Sequence, residues 1–176
     1  MMTIGHSTRH IEEFIRILRA HGVETVVDVR TVPRSRHNPQ FNSDTLPKTL
    51  ADAGLEYVHM PLLGGLRHAR PDSVNTGWRN ASFRGYADYM QTAEFAAALE
   101  DLIALGRRTH AAVMCAESVP WRCHRSLIAD ALAARGLSVE HIMSETGRKP
   151  HEVTSFARIE GTRVTYPPAG QAAGPP

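Results

Sequence analysis

Short apolar, β-branched runs alternate with stretches of helical periodicity along this chain. That alternation restricts the fold more than any other feature. Thr25-Val26-Val27-Asp28-Val29 is β-branched and bounded by polar residues, the pattern of a strand. Thr3-Ile4, Leu55–Met60, Ala111–Met114 and Val139–Met143 read the same way. Between them, Ile11, Phe14, Ile15 and Leu18 recur at helical spacing and stop at Gly22. Leu46, Leu50 and Ala53 mark a second helix, capped by Asn42 or Ser43 and ended by Gly54. Tyr86–Leu105 is a third, broken near Thr92, with Ala96, Leu99, Leu102 and Ile103 as its apolar stripe. Ser126–Arg135 is a fourth.

Strands alternating with helices predict an α/β fold: three layers, a mostly parallel sheet with helices on both faces, Rossmann-like, with right-handed crossovers. Phe156–Ile159 and Arg163–Tyr166, joined by Glu160-Gly161-Thr162, predict a C-terminal hairpin. The 176 residues suit one domain over 1–166. A Pro-, Gly- and Ala-rich tail, 167–176, is expected to be disordered. The irregular stretch Pro61–Gly85 is long enough to suggest a functional loop or lid.

The formal charge of +2 is too small to mark a nucleic-acid binder by itself. The sequence shows neither a signal peptide nor an apolar run long enough for a bilayer, so a cytoplasmic location without membrane partners is expected. In a reducing compartment the two cysteines are thiols, thiolates or metal ligands before they are a disulfide.

Parallel strands bring their carboxyl ends to one edge, where open α/β sheets bind ligands. His6, Ser7, Asp28, Arg30, His59, Cys115 and Glu117 should therefore converge. Cys115 to Arg125 reads as strand end, loop and helix start, and holds both cysteines. Cys115, Glu117, Cys123 and His124 are the candidate catalytic residues. Free N–H groups at the helix start, with Arg122 and Arg125, favour a thiolate at Cys123 over Cys115. Cys115 also suits plain core packing. Arg125 and Ser126 suit an anion such as phosphate or sulfate. Alternatively, Arg125 pairs with Glu117 or Asp130.

The loop after the second strand carries Arg30, Arg34, Arg36 and Asn38, which suit phosphate, and Phe41, which suits a stacked base. It also reads as a solvated loop pinned by Pro33 and Pro39, with Asp28 and Arg30 paired structurally. Trp78, Phe83, Tyr86 and Tyr89 belong either beside the site or in the core. The spacing C-x₇-C-H lacks the close ligand pairs of tight zinc sites, so no metal is assigned.

At these residues the chain resembles a known family. The motifs are Gly5-His6-Ser7-Thr8, Val27-Asp28-Val29-Arg30, and Pro33-Arg34-Ser35-Arg36 with Asn38-Pro39-Gln40-Phe41. Phe83-Arg84-Gly85-Tyr86-Ala87 and Cys115-Ala116-Glu117 with Cys123-His124-Arg125 complete the set. Together, from about Thr3 to His141, they resemble the domain of unknown function family 488. That resemblance supports the fold and the motif list and supplies no reaction. Asp28-Val29-Arg30 and the helix from Arg125 also resemble rhodanese-like domains, although the stretch from Cys115 to Arg125 is longer than the anion-cradling loop of that family.

The leading expectation is an anion-handling, enzymatic site for a phosphorylated or nucleotide-like ligand, with nucleic acid as a further possible partner. The alternatives are a nucleic-acid-binding module without turnover and a metal- or redox-sensing thiol domain. No cofactor and no oligomeric state is legible.

Overall fold

The computed structural model describes residues 1–168. The tail expected to be disordered, 167–176, lies outside the described residues except for Pro167 and Pro168. Five parallel strands form the sheet: β1 (Met2–Gly5), β2 (Thr25–Asp28), β3 (Glu56–His59), β4 (Ala111–Cys115) and β5 (Glu140–Ile142). A sixth, β6 (Arg148–Pro150), runs antiparallel to β5, giving the order β3-β2-β4-β1-β5-β6. The hairpin β7 (Arg158–Glu160) and β8 (Arg163–Thr165) stands apart, turning at Gly161 with φ 60°.

The helices are α1 (Ile11–Ala20), α2 (Leu46–Asp52), α3 (Ala81–Tyr89), α4 (Ala93–Gly106) and α5 (Arg125–Ala133). Successive strand residues point to opposite faces, so each central strand feeds two cores. Ile4, Val26, Ala112 and Met114 pack with Phe14, Ile17 and Leu18 of α1 and Leu46 and Leu50 of α2. Val27, Val113 and Cys115 pack on the other side with Leu99, Leu102 and Ile103 of α4 and Leu127 and Ile128 of α5. β4 is buried at every position because it lies at the centre with helices on both sides.

This winding creates a crevice. The helices that follow β1 and β2 cover one face, and the helix that follows β4 covers the other. β4 sits between β1 and β2, so the chain leaves neighbouring carboxyl ends in opposite directions. Such a switch point opens the crevice that binds ligands in doubly wound sheets.

Local chemistry moves several boundaries from the sequence reading. α3 starts at Ala81, ahead of Tyr86, because the Asn80 side chain accepts from Ser82 N at 2.8 Å and Phe83 N at 3.3 Å. The N-cap of α2 is Thr45, since Asn42 Oδ1 instead accepts from Ser35 N at 2.7 Å. Phe95 and Ala98 join the buried stripe of α4, while Ala96 is partly exposed. The break at Thr92 is real, and its side chain caps α4 through Phe95 N. β6 is exposed throughout and carries Lys149 and Pro150, residues that suit a sheet edge and leave no apolar signature.

The long irregular stretch is fastened down. Asp88, buried, accepts from Arg70 N, Ser73 Oγ and Asn75 Nδ2 at 2.8, 2.6 and 2.8 Å. The Tyr86 and Tyr89 hydroxyls donate to the Leu63 and Leu62 carbonyls. Of this stretch, Gly65 and Leu66 line the crevice. On α5, fully buried Asp130 gathers Thr154, Tyr166 and His151, tying the C-terminal segment to that helix. No helix among the described residues is long and apolar enough to cross a membrane.

Candidate functional site

The 3₁₀ turn Pro120–Arg122 carries the chain back over the end of β4, so that the two cysteines meet. The Cys123 thiol donates to Cys115 Sγ at 2.7 Å, and Arg125 Nη1 donates to the same sulfur at 2.7 Å. Both cysteines are unbridged, with 1% and 5% of their surface exposed at Cys115 and Cys123. Arg125 is fully buried. Its guanidinium also holds the Glu117 carbonyl through Nη1 and the Ser118 carbonyl through Nη2 at 2.7 Å. One arginine therefore shapes the loop and places a positive charge under Cys115.

The contacts made by the two sulfurs favour ionisation of Cys115 over Cys123. Burial works against a Cys115 thiolate, but hydrogen bonds from Cys123 and Arg125, with the guanidinium charge, outweigh it and bring the pKa down to about 7. Cys123 moves the opposite way: its hydrogen bond to Cys115 holds its proton, and burial adds to this. The order is the reverse of that read from the sequence. The Arg125 N–H, in the first turn of the helix that begins there, and the Arg125 charge both favour a Cys123 thiolate, but the contact with Cys115 and burial outweigh them. The guanidinium of Arg125 donates directly to Cys115.

The thiols floor a cavity of about 660 Å³. Its walls include His6, Ser7, Arg30, Arg34, Asn38, Glu117 and His124. Asp28 lies beneath, fully buried, and fixes Arg30 through its backbone N–H, Nε and Nη2 at 3.0, 2.9 and 2.6 Å. Arg30 Nη2 also donates to the Phe41 carbonyl, and Nη1 to His6 Nε2 at 3.2 Å. Four of its five N–H donors are thus used internally, leaving one for a ligand. The His6 Nδ1 faces the Ser7 carbonyl at 2.8 Å, which fixes that nitrogen as the donor. Burial lowers His6 to about 4, with Ser7 opposing and Arg30 assisting, so the ring is neutral near pH 7. His124 is lowered to about 4 by burial. The Val29 backbone opposes that shift, although no hydrogen bond of good geometry reaches His124 Nε2.

Several expected residues stand elsewhere. Arg125 spends its donors on Cys115 and two carbonyls, pairs with neither Glu117 nor Asp130, and does not line the cavity. Ser126 Oγ donates to the Cys123 carbonyl and borders a separate cavity beside Trp121 and His151. Arg36 is exposed away from the cavity. Phe41 is buried, stacked on His6 at 4.2 Å and edge-on to Phe14, so it has no free face for a base. Trp78, Phe83 and Tyr89 belong to the core packing, and Tyr86 backs His124 at 4.9 Å. His59 does not line the cavity; its Nε2 meets the backbone carbonyl of Arg30, which does, at 2.9 Å.

The sequence reading missed Thr31, Val32, Gly65, Leu66 and Ser118 as lining residues. The signal at Gly64-Gly65 was present. A Cβ at Gly65 would lie 3.1 Å from His124 Nδ1, and one at Gly64 would overlap Thr31, whose hydroxyl donates to the Gly65 carbonyl at 3.0 Å. Ser7 and Leu66, with φ 52° and 57°, are the non-glycine residues with left-handed backbone among the described residues, and both line this cavity. Backbone strain of this kind concentrates at functional sites. Among the described residues, no group of three or more His, Cys, Asp or Glu side chains is arranged to hold a metal ion.

Fold and crevice together define an α/β protein with a paired-thiol cavity at its switch point. The profile of the family described as Domain of unknown function DUF488 matches residues 10–132, which include Cys115, Cys123, His124 and Arg125, and the chain belongs to that family. No curated protein and no solved structure matches the chain.

Proposed function

We propose that the cavity is an anion-handling, enzymatic site for a phosphorylated or nucleotide-like ligand, with Cys115 as its nucleophile. The observation that carries this reading is the double donation to Cys115 Sγ, from Arg125 and Cys123, on the floor of an open cavity. A thiolate is the reactive form of cysteine, and a buried guanidinium stabilises it. Cys123 holds the proton that would otherwise quench it.

The anion preference comes from the rim. Arg34 and Arg122 line the cavity, and neither forms an ion pair among the described residues. Guanidinium groups suit phosphate and carboxylate oxygens bidentately. Asn38, Ser7 and the remaining Arg30 donor add neutral or neutralised polar contacts. Glu117 is exposed at the rim, and its carboxylate makes no hydrogen bond among the described residues; in this reading it exchanges protons with the ligand. Exposed Val32 and Leu66 supply apolar surface for the rest of the ligand.

Calorimetric titration with inorganic phosphate and with nucleoside monophosphates tests the reading. Binding that disappears in Arg34→Ala/Arg122→Ala, while the fold is retained, supports it. Equal affinity in wild type and double variant contradicts it.

A further inference from the structure

We infer that Cys123 is the resolving thiol of a two-cysteine cycle, and that the cavity's electrophilic substrates are anionic disulfides. This rests on the reading of Cys115 as nucleophile and names the chemistry it performs. The two sulfurs are in direct contact, 2.7 Å apart, and both line one cavity. A group added to Cys115 would therefore form within reach of a second sulfur already aligned on it. A site that used Cys115 alone would gain nothing from a second nucleophile at that distance.

The cycle balances. The Cys115 thiolate attacks one sulfur of a disulfide R–S–S–R′, forming Cys115–S–S–R and releasing R′–S⁻. Adduct formation removes the acceptor for the Cys123 hydrogen. The next acceptor is His124 Nδ1, 3.7 Å from Cys123 Sγ, on a ring held neutral by burial. Cys123 sulfur then attacks Cys115 Sγ, the S–S bond between Cys115 Sγ and the R-bearing sulfur breaks, R–S⁻ leaves with its S–R bond intact, and the proton passes by way of His124 to a departing thiolate. The sum is two protein thiols and one disulfide giving one protein disulfide and two small thiols. An external dithiol restores the starting state by the reverse exchange.

Arg125 sets the poise. In the dithiol state its Nη1 has a sulfur acceptor carrying negative charge. In the disulfide state that charge is gone, while the guanidinium stays buried with only the Glu117 and Ser118 carbonyls. Stabilising the reduced form makes a protein disulfide easily reduced, as a turnover cycle requires.

The test uses dithiobis(nitrobenzoate), an aromatic disulfide with a carboxylate on each ring, on the native protein. Released thionitrobenzoate is counted by absorbance, and the chain is weighed by mass spectrometry. Wild type is expected to release two equivalents per chain, retain no adduct and end lighter by two hydrogens. Cys123→Ser or Cys123→Ala is expected to release one equivalent and keep a thionitrobenzoate group on Cys115. Cys115→Ser is expected to react at least about ten-fold slower, since its remaining thiol lacks thiolate character. Unchanged melting transitions exclude misfolding as the cause. Wild type that keeps a stable adduct on Cys115 overturns the dithiol cycle and leaves the nucleophile reading standing. Cys115 that stays unmodified in the native protein overturns both.

Discussion

Arg125 lies directly under Cys115, its Nη1 2.7 Å from the sulfur, with the whole guanidinium out of solvent. A buried cation needs compensation, and here that comes from a sulfur and two carbonyls with no carboxylate involved. The arrangement favours a thiolate at Cys115 over one at Cys123. Arg125→Ala is expected to slow Cys115 alkylation at pH 7 by about ten-fold, as the thiol returns toward its ordinary pKa. It is also expected to cost about 3 kcal/mol, because the Glu117 and Ser118 carbonyls lose their donors. Arg125→Lys should recover part of the reactivity and less of the stability, since an ammonium lacks the fork. Urea unfolding and a pH–rate profile separate the two effects.

Gly5 is required for the same contact. A Cβ there would overlap the Glu117 carbonyl and lie 2.7 Å from Arg125 Nη1. Gly5→Ala is expected to destabilise by about 1–3 kcal/mol and to disturb Cys115 reactivity together with stability. A variant with wild-type urea midpoint and wild-type alkylation would mean that the loop has room this geometry denies it.

The rim arginines should act on ligands alone. Arg34→Ala and Arg122→Ala are expected to leave the melting transition within about 1 °C of wild type, since surface changes are usually within ±0.5 kcal/mol. Each should weaken phosphate binding, and Arg36→Ala should not. Binding of DNA or RNA at low salt that falls with Arg36→Ala as much as with Arg34→Ala would point to a polyanion surface extending beyond the cavity.

Three histidines set the acid limit. His6, His124 and His141 are each lowered from 6.5 to about 4, chiefly by burial. For each, the native state binds its proton less readily than the unfolded chain. Their stabilisation is therefore complete above about pH 6.5 and is lost as pH falls toward 4. For His124 alone the shift corresponds to roughly 3 kcal/mol at most. Urea midpoints measured across this range should fall steadily on acidification, and His124→Asn should flatten part of the slope. Midpoints independent of pH between 6.5 and 4 would contradict this.

The sheet was legible because buried strands write their chemistry into sequence. Val26 and Val27 on β2 and Ala112 and Val113 on β4 face two cores, and such runs have few alternatives. β6 left no trace, because an exposed edge of Arg148, Lys149 and Pro150 is defined by its partner and not by its own residues. The convergence of His6, Arg30, Cys115 and His124 also followed from topology alone. The direction of each side chain did not. Whether Arg125 points outward to an anion or inward to a thiol depends on the path of the Ala116–Val119 loop, which no periodicity encodes. The relative ionisation of the two cysteines depends on the contact between their sulfurs and on that orientation, neither of which periodicity encodes. Phe41 is similar: an aromatic in a basic loop reads as a stacking platform until His6 is seen to occupy its face.

The central claim is that Cys115 is the ionised thiol of an anion-selective cavity. Its most direct test is the pH–rate profile for alkylation of the native protein by iodoacetate and by iodoacetamide, with the modified cysteine identified by peptide mass. Cys115 is expected to react first, with a midpoint near pH 7. The anionic reagent should be favoured over the neutral one relative to a free thiol, and that preference should vanish in Arg34→Ala/Arg122→Ala. Modification of Cys123 first, a midpoint near that of an ordinary thiol, or alkylation of both cysteines only after denaturation would contradict it.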